Sequence, residues 1–265
     1  MSQTRYGDTV AGLEIAQVQP TGPLRDHVRR VAGYREVAAP LRRREVPLAG
    51  AVIVFSLGPD MWIDGGWTGS FAAGLYDRPV LTGHSGSQEG LQLDVSALGA
   101  RALLDLPLGE LYDVTVPLEE VLPGARELTE RIAGTDGWPA RFAILNDALG
   151  RIEPRPLAPE LRWAHARLVR SHGAVRVEEL ARETGWSRRH LTERFRQEIG
   201  MPPKGFARLL RFERAVALMR SGAPLADAAY SAGYADQSHM NRDFRDFLGA
   251  PPSELPFVQD ALAAA

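Results

Sequence analysis

The sequence predicts a two-domain α+β protein, with a β-rich N-terminal half followed by an all-α C-terminal half. Three observations lead there. Residues 156–257 carry one helix–turn–helix pattern twice, and residues 51–95 carry short β-branched runs between turn signals. Pro154, Pro156 and Pro159 stand between the two regions. At 265 residues the chain is long for one domain and comfortable for two.

The repeat can be read residue by residue. One copy runs Gly185-Trp186-Ser187-Arg188-Arg189-His190-Leu191, then Phe195-Arg196, then Ile199-Gly200 before Pro202-Pro203. The other runs Gly233-Tyr234, Asp236-Gln237-Ser238-His239-Met240, then Phe244-Arg245, then Leu248-Gly249 before Pro251-Pro252. Upstream, Val177, Leu180 and Ala181 match Leu225, Ala228 and Ala229 in offset, and each set makes one buried helical stripe. Gly185 and Gly233 suit the left-handed position that ends a helix. Ser187 and Asp236 are good N-caps for the second helices. In those helices Leu191, Phe195 and Ile199 recur every four residues, as do Met240, Phe244 and Leu248, and these are expected core. The opposite faces carry Arg189, Glu193, Arg196 and Gln197, or Ser238, Arg242, Arg245 and Asp246.

A second helix of this kind enters the DNA major groove by its N-terminal residues. Two such units joined by a long helix from Pro203 to about Arg220 resemble the DNA-binding domain of AraC/XylS-type transcription regulators. The resemblance spans Trp163 to Leu255. Ala228-Ala229, Gly233-Tyr234, Gln237-Ser238-His239, Phe244-Arg245 and Gly249-Ala250-Pro251-Pro252 sit on the family's signature. One departure stands at the end, where Glu254-Leu255-Pro256 replaces the usual aromatic-Arg pair. The expected divisions are a sensor and dimerisation domain with helical extension at 1–153, a linker at 154–162, the double helix-turn-helix domain at 163–257 and a disordered tail at 258–265.

In the first half, Ala51 to Leu57, Met61 to Ile63, Phe71 to Leu75, Pro79 to Thr82 and Leu91 to Val95 read as short strands. The period turns helical at Leu98, Ala102 and Leu106, and amphipathic helices are expected at 119–133 and 138–152. A small barrel followed by helices resembles the cupin-like sensor half of AraC-type regulators. Gly74-Leu75-Tyr76-Asp77-Arg78-Pro79 and the stretch from Leu98 to Leu104 point to one subgroup of it. Trp62, Tyr76 and His84 are the candidate ligand-binding residues, with Trp67 and Phe71 as further aromatic walls. Arg42-Arg43-Arg44-Glu45 reads as a solvated edge, or alternatively as a bridge to an anionic ligand. The apolar faces Leu118-Val121-Leu122-Ala125-Leu128 and Phe142-Leu145-Leu149-Ile152 either pack on their own barrel or pair two subunits.

Composition narrows the chemistry. There are no cysteines, which removes disulfides, thiolate metal sites and a thiol nucleophile, and with it the methyl-accepting DNA-repair proteins that carry a similar DNA-binding half. In the first half only His27 and His84 are histidines, so neither a metal nor another cofactor is expected. No Ser/His/Asp set, carboxylate pair or phosphate loop stands out, and no enzymatic activity is expected. No stretch reaches 18 apolar residues and no signal-like core opens the chain, so a cytoplasmic protein without membrane contact is expected. Lys204 is the one lysine among 31 basic residues, and this arginine bias with abundant Ala, Gly and Pro suggests a GC-rich bacterial genome. The net charge of −2 divides unevenly, with 16 basic against 12 acidic residues from Glu160 to Pro256.

Helical phase and the resemblance together put base contacts at Arg189, Thr192, Glu193, Gln237, Ser238, Asn241 and Arg242. Arg188, Arg196 and Arg245 are placed for phosphates. The expected function is a sequence-specific DNA-binding transcription regulator modulated by a small molecule in its N-terminal domain. Duplex DNA, an effector, a second copy and RNA polymerase are the candidate partners. The alternatives are a cupin-fold enzyme with a DNA-binding tail and a helix-turn-helix module for protein contact.

Overall fold

The computed structural model describes residues 5–6, 12–21, 25–151 and 157–257. Strands β1 (Arg5–Tyr6), β2 (Leu13–Val18), β3 (Val28–Val37) and β4 (Leu41–Glu45) come first. After them run β5 (Gly50–Ser56), β6 (Met61–Ile63), β7 (Gly66–Thr68), β8 (Phe71–Ala73), β9 (Val80–His84) and β10 (Ser87–Ser96). Helix α1 (Ala97–Leu104), a 3-10 turn (Leu108–Leu111), strand β11 (Thr115–Pro117) and helices α2 (Leu118–Val121), α3 (Ala125–Ala133) and α4 (Trp138–Leu149) complete the first half. The second half is helical: α5 (Pro159–Arg170), α6 (Val177–Thr184), α7 (Arg188–Ile199), α8 (Pro203–Arg220), α9 (Leu225–Ser231) and α10 (Gln237–Leu248). A 3-10 turn (Pro252–Phe257) follows.

The strands form two antiparallel sheets instead of one closed barrel. A seven-stranded sheet has the order β1-β2-β3-β10-β5-β8-β11, and a four-stranded sheet has the order β4-β9-β6-β7. Of β10 only Leu91 to Val95 is expected from the sequence, and β3 is not expected at all, because each interleaves charged residues with its apolar ones. Yet they pair along nine registered positions from Val37↔Ser87 to Val28↔Val95, with a bulge at Asp94/Val95. The Arg42–Glu45 run is itself most of β4, paired with β9. Alternation sends Arg43 inward, where it is buried on Glu36 at 2.7 Å. Of the run only Arg42 is exposed, and it caps the Trp62 ring at 3.8 Å.

Two helical expectations also change. The segment 119–133 is broken at Pro123-Gly124, where Gly124 has φ +76°, so α2 and α3 are separate. The helix at 138–152 ends at Leu149; Ile152, Pro154 and Pro156 lie outside the described residues. α5 begins at Pro159, inside the expected linker, with Leu161 buried. Leu118, Ala125, Phe142, Leu145 and Leu149 are all buried in their own chain. Trp138 lies over Gly33 of β3, where any Cβ would collide with its ring, and its Nε1 donates to Glu14 at 2.8 Å.

One apolar core runs through both halves, from Val31, Ile53 and Leu93 in the large sheet to Phe195, Phe212 and Phe244 among the C-terminal helices. At the junction Arg101 of α1 donates to Glu198 of α7 at 2.7 Å, both largely buried. Arg29 donates to Glu213 of α8 at 2.7 Å, and the Ala49 amide donates to the same oxygen.

Candidate nucleic-acid interface and inter-sheet cavity

The duplicated pattern folds as two similar units. Gly185 (φ +70°) and Gly233 (φ +83°) both take left-handed turns. Ser187 accepts from the His190 amide at 3.2 Å, and Asp236 accepts from the His239 amide at 2.7 Å, so both second helices are capped by side chains. The aromatic residue after each turn glycine packs edge-on against the histidine of its helix: Trp186 on His190 at 4.5 Å, Tyr234 on His239 at 5.2 Å. Beneath, Leu191, Phe195 and Ile199, and Met240, Phe244 and Leu248, are buried. α8 packs against both second helices and fixes one relative to the other.

The outward faces hold the sequence-predicted residues as follows. Arg188, Arg189, Glu193 and Arg196 are exposed on α7, with Thr192 half-buried at its side. Gln237, Ser238, Arg242 and Arg245 are exposed on α10; Asn241 is half-buried, and its Oδ1 is buried with no hydrogen-bond partner among the described residues. Two of the arginines are tethered. Glu178 holds Arg188 at 3.0 Å, and Glu193 holds Arg196 at 3.4 Å. The backbone of Glu178 and then Arg188 hold the Glu178 carboxyl below its ordinary range.

Sequence reasoning missed the acids beneath these faces. Asp243 is buried and takes Arg208 of α8 at 2.7 Å, while Arg208 also reaches Asp246 at 2.5 Å. Tyr234 is buried beside Asp243, and burial followed by that negative charge raises its phenol above the ordinary value. Helical phase was the available signal: Asp243 sits next to Phe244 on the inner side, as Glu198 sits next to Ile199.

Between the two sheets lies a cavity of about 130 Å³. Val52, Val54, Ile63, Phe71, Tyr76 and Val80 form its apolar wall, and Arg43, Glu45, Thr82, His84 and Gln88 lie at its polar part. It brings together Tyr76, His84 and Phe71; Trp62 stands outside the lining, under Arg42, and Trp67 is 56 % exposed. Tyr76 shares a hydrogen bond with Thr115 at 2.7 Å. Burial pushes the His84 imidazole below its ordinary value, with Arg43 acting in the same direction and Glu36 against it. Among the described residues, no three His, Asp or Glu side chains converge as a metal site needs, and no helix is long and apolar enough to cross a membrane.

Residues 180–255 match the family model described as a helix-turn-helix domain. Over 66 residues the chain is 36 % identical to an uncharacterized HTH-type transcriptional regulator, YbfI, of Bacillus subtilis, covering 25 % of this chain and 24 % of that protein. Over 79 residues it is 35 % identical to a putative AraC-like transcription regulator of Streptomyces lividans, covering 29 % and 26 %. The chain thus spans about a quarter of the length of the curated relatives it matches. The solved structure of ToxT from Vibrio cholerae shares the two-part fold, with a TM-score of 0.50 at 13 % identity over 88 % of this chain and 99 % of that one.

Proposed function

We propose, from the premise that residues 180–255 are a helix-turn-helix domain, that this chain is a sequence-specific DNA-binding transcription regulator of the AraC type. The observation that carries the reading is the pair of capped helices, α7 and α10, each with a buried apolar side and an exposed arginine-bearing one. Arg189, Thr192 and Glu193 on α7, and Gln237, Ser238, Asn241 and Arg242 on α10, are the proposed base-contacting residues. Arg188, Arg196 and Arg245 are proposed for phosphates, with Arg188 and Arg196 first leaving Glu178 and Glu193. Two units in one chain address two successive major-groove faces about 34 Å apart. The binding site is therefore asymmetric, or a direct repeat of asymmetric sites where two copies bind.

The N-terminal half, divided from the DNA-binding half near residues 154–162, is proposed as the sensor, with its inter-sheet cavity as the effector site. RNA polymerase is the natural downstream partner in this reading, and the cytoplasm its compartment. Pairing of two copies would use surfaces other than Phe142, Leu145 and Leu149, which are already buried. Selection of duplexes from a random pool, followed by footprinting, tests the DNA reading. Two protected segments about one helical turn apart are expected, with affinity falling steeply as salt rises. A strict palindrome of single half-sites, or no preference over bulk genomic DNA, refutes it.

A further inference from the structure

Every charge at the inter-sheet cavity already has a partner. Arg43 donates to both oxygens of Glu36, at 2.8 and 2.7 Å, and Gln88 donates to Glu36 at 2.6 Å. Arg30 is held by Asp94 at 2.7 Å. Glu45 accepts from the Thr82 hydroxyl at 2.6 Å. A charged ligand would have to compete for groups already held, in the buried Arg43–Glu36 pair and the two part-buried contacts, or stand unpaired in a low-dielectric interior, which is costly. Two polar groups on the lining are left weakly used. The His84 Nδ1 accepts from the Gly86 amide at 3.1 Å, so the neutral ring carries its hydrogen on Nε2. That Nε2 is buried and, among the described residues, without a hydrogen bond, with Glu36 Oε2 standing 3.5 Å off. Among the described residues the Tyr34 hydroxyl reaches only the Met61 sulfur, at 3.7 Å. In size the cavity is close to one of about 150 Å³ known to hold benzene.

We propose that this cavity takes an uncharged ligand of about one ring, bearing an acceptor oxygen for the His84 Nε2–H. This rests on the reading of the N-terminal half as a sensor and names the chemistry it senses. The test is titration of the full chain with benzyl alcohol, benzoate and benzylamine, followed by heat and by thermal shift. Benzyl alcohol is expected to bind at least tenfold more tightly than either ion. His84→Phe should weaken it about tenfold, and His84→Asn, which retains a donor, should recover part of that loss. Preferential binding of benzoate or benzylamine overturns the charge argument alone, whereas no binding of any probe overturns the sensor reading with it. Neither result touches DNA binding.

A different observation concerns residues 74–79, between β8 and β9. Tyr76 faces the cavity, while Leu75 and Pro79 of the same segment approach the C-terminal helices. A Cβ placed on Gly200, the C-cap of α7, would lie 3.0 Å from Leu75 Cδ1; one on Gly249, the C-cap of α10, would lie 2.9 Å from Pro79 Cγ. Arg78 ties the same segment to Asp64 and Asp113, each at 2.6 Å. We infer that this six-residue strap transmits occupancy of the cavity to the ends of both recognition helices at once. Hydrogen exchange on the full chain reads this without DNA or ligand, using Ala73→Leu to fill the cavity from its wall. Exchange at 196–200 and 245–249 is expected to change at least fivefold. Added Leu75→Ala should abolish the change at 196–200 alone, and added Pro79→Ala that at 245–249 alone. A folded Ala73→Leu chain with unaltered exchange at both ends, or responses that the added substitutions do not separate, refutes the strap.

Discussion

Arg242 is exposed in the first turns of α10, beside Ser238 and above the buried Met240 and Phe244. Its guanidinium has the fork geometry that reads guanine, so Arg242→Ala is expected to cost about 1–3 kcal/mol on the preferred duplex and to relax choice at one base pair. A competition gel shift with duplexes varied at that pair measures it; an unaltered preference contradicts the assignment. His165 tells a different story, about stability. It is buried against Phe206, and burial, helped by Arg29 and His27, holds its pKa at about 3. The unfolded ring titrates near about 6.5, so below that pH the unfolded state binds the extra proton. Stability is complete above about pH 6.5 and is lost as pH falls towards the folded value, by about 1 kcal/mol at about pH 5.5. Urea melts across this range should show the loss, and His165→Leu should flatten it.

At the scale of the element, helices α7 and α10 depend on their caps. Ser187→Ala or Asp236→Ala removes the acceptor for an otherwise unpaired amide and is expected to cost about 1 kcal/mol. Denaturant midpoints measure it, and Ser187→Asp should retain most of the stability. These elements were legible in the sequence because cap, aromatic, apolar stripe and terminal glycine each leave a separate mark, twice over. The sheets were less legible. β4 hides in an arginine run because only one of its arginines, Arg43, turns inward to a partner seven residues away. β3 alternates Arg30, Arg35 and Glu36 with core residues, and the acids that hold Arg30 and Arg35 come from β10, over fifty residues on. Pairing across such distances leaves no local pattern. Of the cavity, Tyr76 and His84 were nameable as candidates, but Tyr34, Thr82 and Gln88 were not, since two sheets had to meet before they shared a space.

For the whole molecule, the junction decides how the halves behave. Arg101→Ala would leave Glu198 buried with Arg194 beside it, at 3.2 Å. A loss of about 3 kcal/mol in global stability is expected, and Arg101→Met with Glu198→Leu should recover much of it. Calorimetry of the single and double variants checks this. A single apolar core spanning both halves has one more consequence. Peptide continuity is not what keeps them in register. With a protease site engineered near residue 154 and then cut, the two fragments should still elute together from a sizing column, parting only in denaturant.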